Sequence, residues 1–317
     1  MRLAASRSEK VVLLKVPMIT NATLGNGLGH WSFPVPLSVF VALTGVFYGR
    51  GWLRVRSVHP DVASLRKIAA FAGGLVVLLI VTGSPLAALD HELLLVHMVQ
   101  HILLMAVAPP LLLLGSPVLM LAYGLPKHFV QGVVNLFRNT TLVRLSGRVL
   151  FHPVTCWLVA TITVVGWHTP AAFELGLRSP GWHEIQRTSF FAAGVLFWWP
   201  VIQPWPSASP WMRWSAPVYL FAATLPCDAL SAFLTFCDRV VYRPYLTMSH
   251  AFQYSALHDQ EWAGVLMWVC VTFIYMVPAM LISIDTLMSV ETPLSETEIG
   301  AAVVEMSAIQ AIQIEAI

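Results

Sequence analysis

Charge is what this chain has least of: Lys, Arg, Asp and Glu together make up 11% of 317 residues. A soluble protein of this length covers its surface with about twice that share, so an ordinary aqueous surface is excluded. The net charge of +2 is too small to attract a polyanion, and no run of Lys and Arg interleaves with aromatics. Nucleic acid is therefore not an expected partner. Cysteine is equally sparse, with Cys156, Cys227, Cys237 and Cys270 forming no C-x-x-C. That leaves out zinc ribbons and thioredoxin-type redox motifs. Cys227 and Cys237 stand about 15 Å apart along one helix, too far to bridge each other. The cysteines read as small apolar packing residues, with Cys227 beside Asp228 a candidate thiolate for Cu(I). The N-terminal segment carries Arg2, Arg7 and Lys10, but Lys15 and Pro17 interrupt its apolar run and no small-residue cleavage site follows. It makes a poor signal peptide.

What is abundant is apolar surface, 57% of the residues, with a mean hydropathy of +0.72. Seven stretches are long enough, or nearly so, to cross a hydrocarbon core: Phe33 to Tyr48, Arg66 to Thr82, His91 to Leu114, His152 to Trp167, Ile185 to Val201, Ala216 to Phe236 and Trp262 to Ile284. The expected fold is an all-α membrane protein, a bundle of about seven transmembrane helices. A tail over residues 1–32 would precede a transmembrane domain over 33–284, and an acidic tail with Glu291, Glu296, Glu298, Glu305 and Glu315 would follow over 285–317. Trp198, Trp199 and Trp205 suit an interfacial aromatic belt.

Basic residues in short loops set the expected orientation. Arg50, Arg54, Arg56, Arg66 and Lys67 separate the first two spans; Lys127, Arg138, Arg144 and Arg148 separate the third and fourth; Arg213 separates the fifth and sixth. Those loops are assigned to the cytoplasm, which puts the N-terminus outside and the acidic tail inside. The four basic residues of the N-terminal tail run against this assignment. With it, eight of the eleven histidines lie on or near the outer face: His30, His91, His97, His101, His168, His183, His250 and His258. Only His59, His128 and His152 fall on the other side.

Three of these residues ride into one apolar span, in His91-Glu92-Leu93-Leu94-Leu95-Val96-His97-Met98-Val99-Gln100-His101. Burying an ionisable side chain in a bilayer costs several kcal/mol, so such groups face a partner, a cavity or a metal. His97, His101 and Met105 follow one another at intervals of four, on one face of a regular helix, before the break Pro109-Pro110. Imidazoles and a thioether on one stripe suit copper, with Gln100 and Asp90 placed to orient the rings by accepting an N–H. A bundle-holding hydrogen-bond role for the same histidines is the alternative. Asp259 and Gln260 open the last span, where a carboxylate caps free N–H groups, and Met267 lies eight residues on, facing toward Met105. Trp167-His168-Thr169-Pro170 places a histidine at the mouth of the fourth span.

In these residues the chain resembles the CtaG-like polytopic cytochrome c oxidase assembly factors of bacteria. The resemblance rests on His97-x-x-x-His101 leading into Ala108-Pro109-Pro110-Leu111-Leu112-Leu113-Leu114-Gly115-Ser116-Pro117, on Trp167-His168-Thr169-Pro170, on His183 with Phe197-Trp198-Trp199-Pro200, and on Asp259-Gln260 with Gly264 and Met267-Trp268. The family often has a second histidine four residues after the one matching His183; this chain has Arg187 there. A histidine pair on that span is therefore not carried over. The resemblance implies a non-enzymatic membrane chaperone that helps copper into the oxidase catalytic subunit, with cytochrome c oxidase subunits and a copper donor as partners. Its transient copper would be held by His97, His101, His168, His183, Met105, Asp259 and Met267. A metal-free assembly scaffold and a haem-binding electron carrier are the competing functions.

The charge pattern makes the topology testable. A reporter fused after Lys127 is expected to read cytoplasmic and one fused after Arg178 external; the reverse pair would move the whole histidine face to the cytoplasm.

Overall fold

A computed structural model of the chain describes residues 31, 33–202, 211–248 and 255–291. The N-terminal tail with His30, the stretch holding Trp205, the stretch holding His250 and the acidic tail from residue 292 lie outside the described residues. What is described is mostly helical, with no strand among those residues, so the protein is an all-α membrane protein.

The chain runs through α1 (Val35–Val58), α2 (Leu65–Gly83), a short turn α3 (Leu86–Leu89) and α4 (Leu94–Ile102). A wide π turn at Leu103–Val107 leads into α5 (Ala108–Leu114) and α6 (Pro117–Gly124). Then come α7 (Lys127–Asn139), α8 (Thr141–Leu150), α9 (Pro153–Trp167), α10 (Pro170–Arg178), α11 (Pro180–Ile202), α12 (Trp211–Phe236), a short α13 (Tyr245–Met248) and α14 (Ala256–Glu291). Prolines start many of these elements: Pro36, Pro109, Pro117, Pro153 and Pro170 occupy first-turn positions. There the missing N–H costs nothing, because the first-turn donors have no partner within the helix.

Among the described residues, four segments are long and apolar enough to cross a membrane: Leu65–Gly83, Leu94–Leu114, Ser215–Phe236 and Ala256–Met288. The pair α8 and α9, bent by 66° at Phe151-His152, makes up to five. The expected count of seven is not met on length and composition. Helices α1 and α11 have the length, 24 and 23 residues, but α1 carries Arg50, Arg54 and Arg56 and α11 carries His183, Glu184 and Arg187. The Pro109-Pro110 pair does not break its span either: the π turn just before it absorbs the two missing donors, and Leu94–Leu114 continues as one 21-residue segment. That segment is the enclosed one, with 56% of its window buried against 22% for Leu65–Gly83.

Two apolar cores result. The larger gathers Met98, Met105, Phe173, Phe190, Phe197, Trp198, Leu220 and Tyr275 around the π turn. Along one side α12 packs on α14, where Thr272 Oγ1 donates to Asp228 Oδ1 at 3.4 Å. Outward faces such as Val218, Phe221 and Leu225 on α12, or Phe273, Val277 and Leu281 on α14, are exposed as lipid contact requires.

The smaller core holds α1 against α6. Tyr48 stacks on Phe71 with ring centroids 3.7 Å apart and donates its hydroxyl to the Gly115 carbonyl at 2.7 Å. Here a glycine pair brings the backbones together: a methyl on Gly51 would overlap the Met120 carbonyl, and one on Gly124 the Phe47 carbonyl. Close helix crossing through small residues is how membrane helices gain packing energy where lipid is as apolar as leucine. Gly51→Ala and Gly124→Ala are each expected to cost about 2–3 kcal/mol, since the colliding atoms are backbone and cannot turn aside. Gly49→Ala, in the same helix with nothing within 4 Å, should be neutral or stabilise slightly. Thermal unfolding of the three purified variants in detergent checks this ordering, and equal melting of all three would refute it.

Candidate metal centre

The site is built on α4, whose start is fixed from far along the chain. Leu93 is extended, so the first N–H groups of α4 have no partner within their own helix. Asp259 of α14 supplies one: its Oδ2 accepts from Leu94 N at 2.6 Å and its Oδ1 from Leu95 N at 3.1 Å. A carboxylate at a helix N-terminus also meets the positive end of the dipole. Asp259 was expected to cap a helix, and the helix it caps is α4 rather than its own. Next to it Gln260 satisfies the loop after α12, accepting from Val241 N at 2.7 Å and donating to the Leu234 and Arg239 carbonyls, each at 3.2 Å.

From that anchored start, His97 and His101 turn to the same side and meet edge to face, ring centroids 4.3 Å apart. His168, at the end of α9, faces His101 at 5.8 Å, and His183 of α11 lies nearly parallel to His97 at 5.7 Å. Four histidines from three helices thus form one buried row, each no more than 5% exposed. Phe190 stacks on His101 at 4.0 Å and Phe173 flanks His97 at 4.9 Å. The sequence brought these four rings forward, and the structure brings them together.

The nitrogens of the row decide its chemistry. His168 Nδ1 lies 2.7 Å from the Val164 carbonyl. A carbonyl only accepts, so Nδ1 carries the proton and Nε2 presents a lone pair. What Nε2 faces, at 3.3 Å, is the Met98 sulfur, another lone-pair atom. Both ring nitrogens of His97 and both of His101 are buried without a hydrogen-bond partner. Such groups usually find one, because each orphan costs about 1–3 kcal/mol.

At one end of the row the chemistry becomes ionic. Asp90, fully buried, accepts from Arg187 Nη2 at 2.8 Å, and the same nitrogen reaches Gln100 Oε1 at 3.1 Å. Gln100 donates in turn to the Leu86 carbonyl at 2.7 Å, and Tyr245 donates its hydroxyl to the Asp90 carbonyl at 2.9 Å. His183 Nε2 stands 3.2 Å from Asp90 Oδ2 and His91 Nε2 3.7 Å from Oδ1. Burial pushes the Asp90 carboxyl above the ordinary carboxylate range, while Arg187 and His91 pull it back down. Sequence reasoning placed Asp90 and Gln100 as ring orienters; the structure makes Gln100 a partner of Arg187 instead. Arg187, four residues past His183, fills the place of a second ring with a guanidinium.

The soft side chains are distributed differently from a straight helix. Met105 lies in the π turn and lines a cavity of about 10 Å³ with Val164, Phe197, Cys227 and Tyr275. Gly194 of α11 lies against the Met105 backbone there, where a Cβ would come within 2.5 Å of its carbonyl. Met267 is buried in the same core. The sulfur beside the rings is that of Met98, which sequence reasoning passed over. Its signal was present: Met98 precedes His101 by three, the other same-face interval of a helix.

Removing the Asp259 cap should loosen the helix that carries the rings. Asp259→Ala is expected to cost about 2 kcal/mol through the two lost charge-assisted bonds, and Asp259→Asn, which keeps one acceptor, less than half of that. Unfolding of the purified variants measures it; no loss in Asp259→Ala would show that the cap does not hold α4.

Residues 46–288 match the family described as cytochrome c oxidase caa3 assembly factor, Caa3_CtaG, a stretch that takes in every residue of the row, its ionic end and Asp259. The uncharacterized protein Mb0105 of Mycobacterium bovis is 26% identical over 255 residues, covering 78% of this chain and 38% of that protein. The uncharacterized protein ML1998 of Mycobacterium leprae is 24% identical over 253 residues, 75% of this chain and 36% of its own length. The chain thus spans well under half the length of these relatives. No solved structure matches it. With the matched stretch covering most of the chain and containing the whole histidine row, this protein belongs to the caa3-type cytochrome c oxidase assembly factor family.

Proposed function

We propose that the protein serves oxidase assembly as a non-enzymatic copper-handling factor, holding Cu(I) as cargo in the buried row and passing it to the oxidase catalytic subunit. The observation that carries this reading is the set of orphaned nitrogens: four on His97 and His101, with His168 Nε2 turned to the Met98 sulfur. Leucine or phenylalanine at 97 and 101 would pack the same space without the desolvation cost, so the polar rings need a ligand to offset it. Neutral imidazoles and a thioether suit Cu(I). We assign ligand roles to His97, His101, His168 and Met98. Asp259 supports them by fixing α4, and Met105, within the π turn, lines the cavity beside Cys227. Met267 belongs to the apolar wall.

A delivery site must also release its metal, which favours few ligands and a soft, weak one among them. The charge pattern of the loops supports a row that opens to the outer face of the plasma membrane. A haem-binding role is disfavoured by the packing, since a porphyrin needs a slot between rings whereas His97, His101 and Phe190 are in direct contact. A metal-free scaffold draws support from the Asp90–Arg187–Gln100 network, which ties helices together without any metal.

His97→Gln with His101→Gln separates the two. Glutamine keeps a polar group able to hydrogen-bond across helices, at about 1 kcal/mol, but removes the imidazoles. Under copper handling, the double variant accumulates normally, the oxidase assembled beside it is short of copper, and added copper partly restores it by mass action. Purified protein should bind Cu(I), with the double variant at least tenfold weaker. Full oxidase activity in the double variant at limiting copper would leave the scaffold as the function.

A further inference from the structure

The ionic end of the row has a donor set of its own. One ligand atom each from Asp90, His91 and His183 lies within 4.8 Å of the other two. Donors held about 2.0–2.2 Å from a tetrahedral ion stand about 3.3–3.6 Å apart, so the group needs only a small closure to converge on one. Two features point to a ligand rather than to chance proximity. Asp90 Oδ1 and His183 Nε2 are both buried and both lack a hydrogen-bond partner; the 3.2 Å approach of His183 Nε2 to Asp90 Oδ2 is not aligned as a hydrogen bond. Asp90 Oδ2 is committed to Arg187, which fixes the carboxylate and leaves Oδ1 turned toward His91. Orientation of a carboxylate ligand by a partner on its other oxygen is a common feature of metal sites.

We propose that Asp90, His91 and His183 form a second metal site, separate from the His97/His101/His168/Met98 row, that takes a divalent first-row ion such as zinc or oxidised copper. Two imidazoles and a carboxylate lack the thioether and thiolate donors that select Cu(I), and they match the borderline ions instead. The His91 side chain is 42% exposed while Asp90 and His183 are buried, so one ligand reaches solvent and the fourth position is open to water. Arg187 makes the site weak: its guanidinium lies 2.8 Å from Asp90 and already offsets that carboxylate's charge, with the exposed Glu184, at 3.4 Å, as its second carboxylate partner. A cation held beside that guanidinium exchanges quickly, as an entry site at the mouth of a buried row must. The site stands on its own ligands and does not rest on copper being held in the row.

Full-length protein in detergent is titrated with Co(II), read by its visible ligand-field bands, and with Zn(II) in competition. Wild type is expected to bind one divalent ion at this site. His91→Ala, a substitution at a half-exposed position that the fold tolerates, should weaken binding at least tenfold, and Asp90→Asn likewise. His97→Gln with His101→Gln should leave it unchanged. Arg187→Gln should strengthen it about tenfold and make the melting temperature rise with added Zn(II) more than in wild type, a gain that a purely structural arginine does not predict. Divalent binding that is absent in wild type, survives His91→Ala, or disappears with the His97/His101 pair overturns the proposal. Cu(I) titration of the same samples reports on the row independently, so failure at one site is distinguishable from failure at the other.

Discussion

The buried ion pair of Asp90 and Arg187 is the contact on which the arrangement of the site rests. The two residues are 97 apart in sequence, one in the turn before α4 and the other on α11, and neither is more than 8% exposed. A charge so placed cannot stand alone: removing one member of a buried pair costs about 3–5 kcal/mol because the other is left uncompensated. The pair therefore holds two segments in a fixed relation, and Gln100 and Tyr245 extend the hold to α4 and α13. His183, one turn before Arg187, is carried into place beside Asp90 by the same contact, and the ring row starts from there.

A second constraint comes from backbone accounting. Inside a bilayer no water repairs an unpaired N–H or carbonyl, so helix ends and irregular turns must be served by protein. Asp259 serves the start of α4, and the π turn lets Pro109 and Pro110 be accommodated within one span. Both devices act on the helix that carries His97 and His101. The close approach of Gly194 to the Met105 backbone shows why α11 can lie against this widened turn at all. The histidine row and the fold thus share one element, since the irregular turn before the prolines sits directly after the histidines.

Much of this was legible in the residues. The class followed from apolar composition, and the convergence of His97, His101, His168 and His183 from ionisable groups placed near the ends of apolar stretches. The span count did not follow: α1 and α11 carry arginines and a glutamate that the folded bundle pairs or turns to solvent, and no window over a single helix shows which. The spacing of Met98 to His101 was visible, but its pairing with His168 was not, because that ring comes from another helix; nor was the Asp259 cap on α4, which bridges 165 residues. The π turn that follows His101 and holds Met105 was not legible either, because the sequence spacing alone reads as a regular α-helix.

By itself the sequence determined that the chain is an all-α membrane protein with ionisable residues held in its interior, because apolar composition and the cost of buried charge are local properties of residues. Only the tertiary structure decided which nitrogens are left without partners, that a sulfur faces His168, and that an aspartate and two histidines stand together at the end of the row. Those are relations between helices, fixed by an ion pair and a helix cap whose members are separated by about a third and a half of the chain, and no spacing within one helix encodes them.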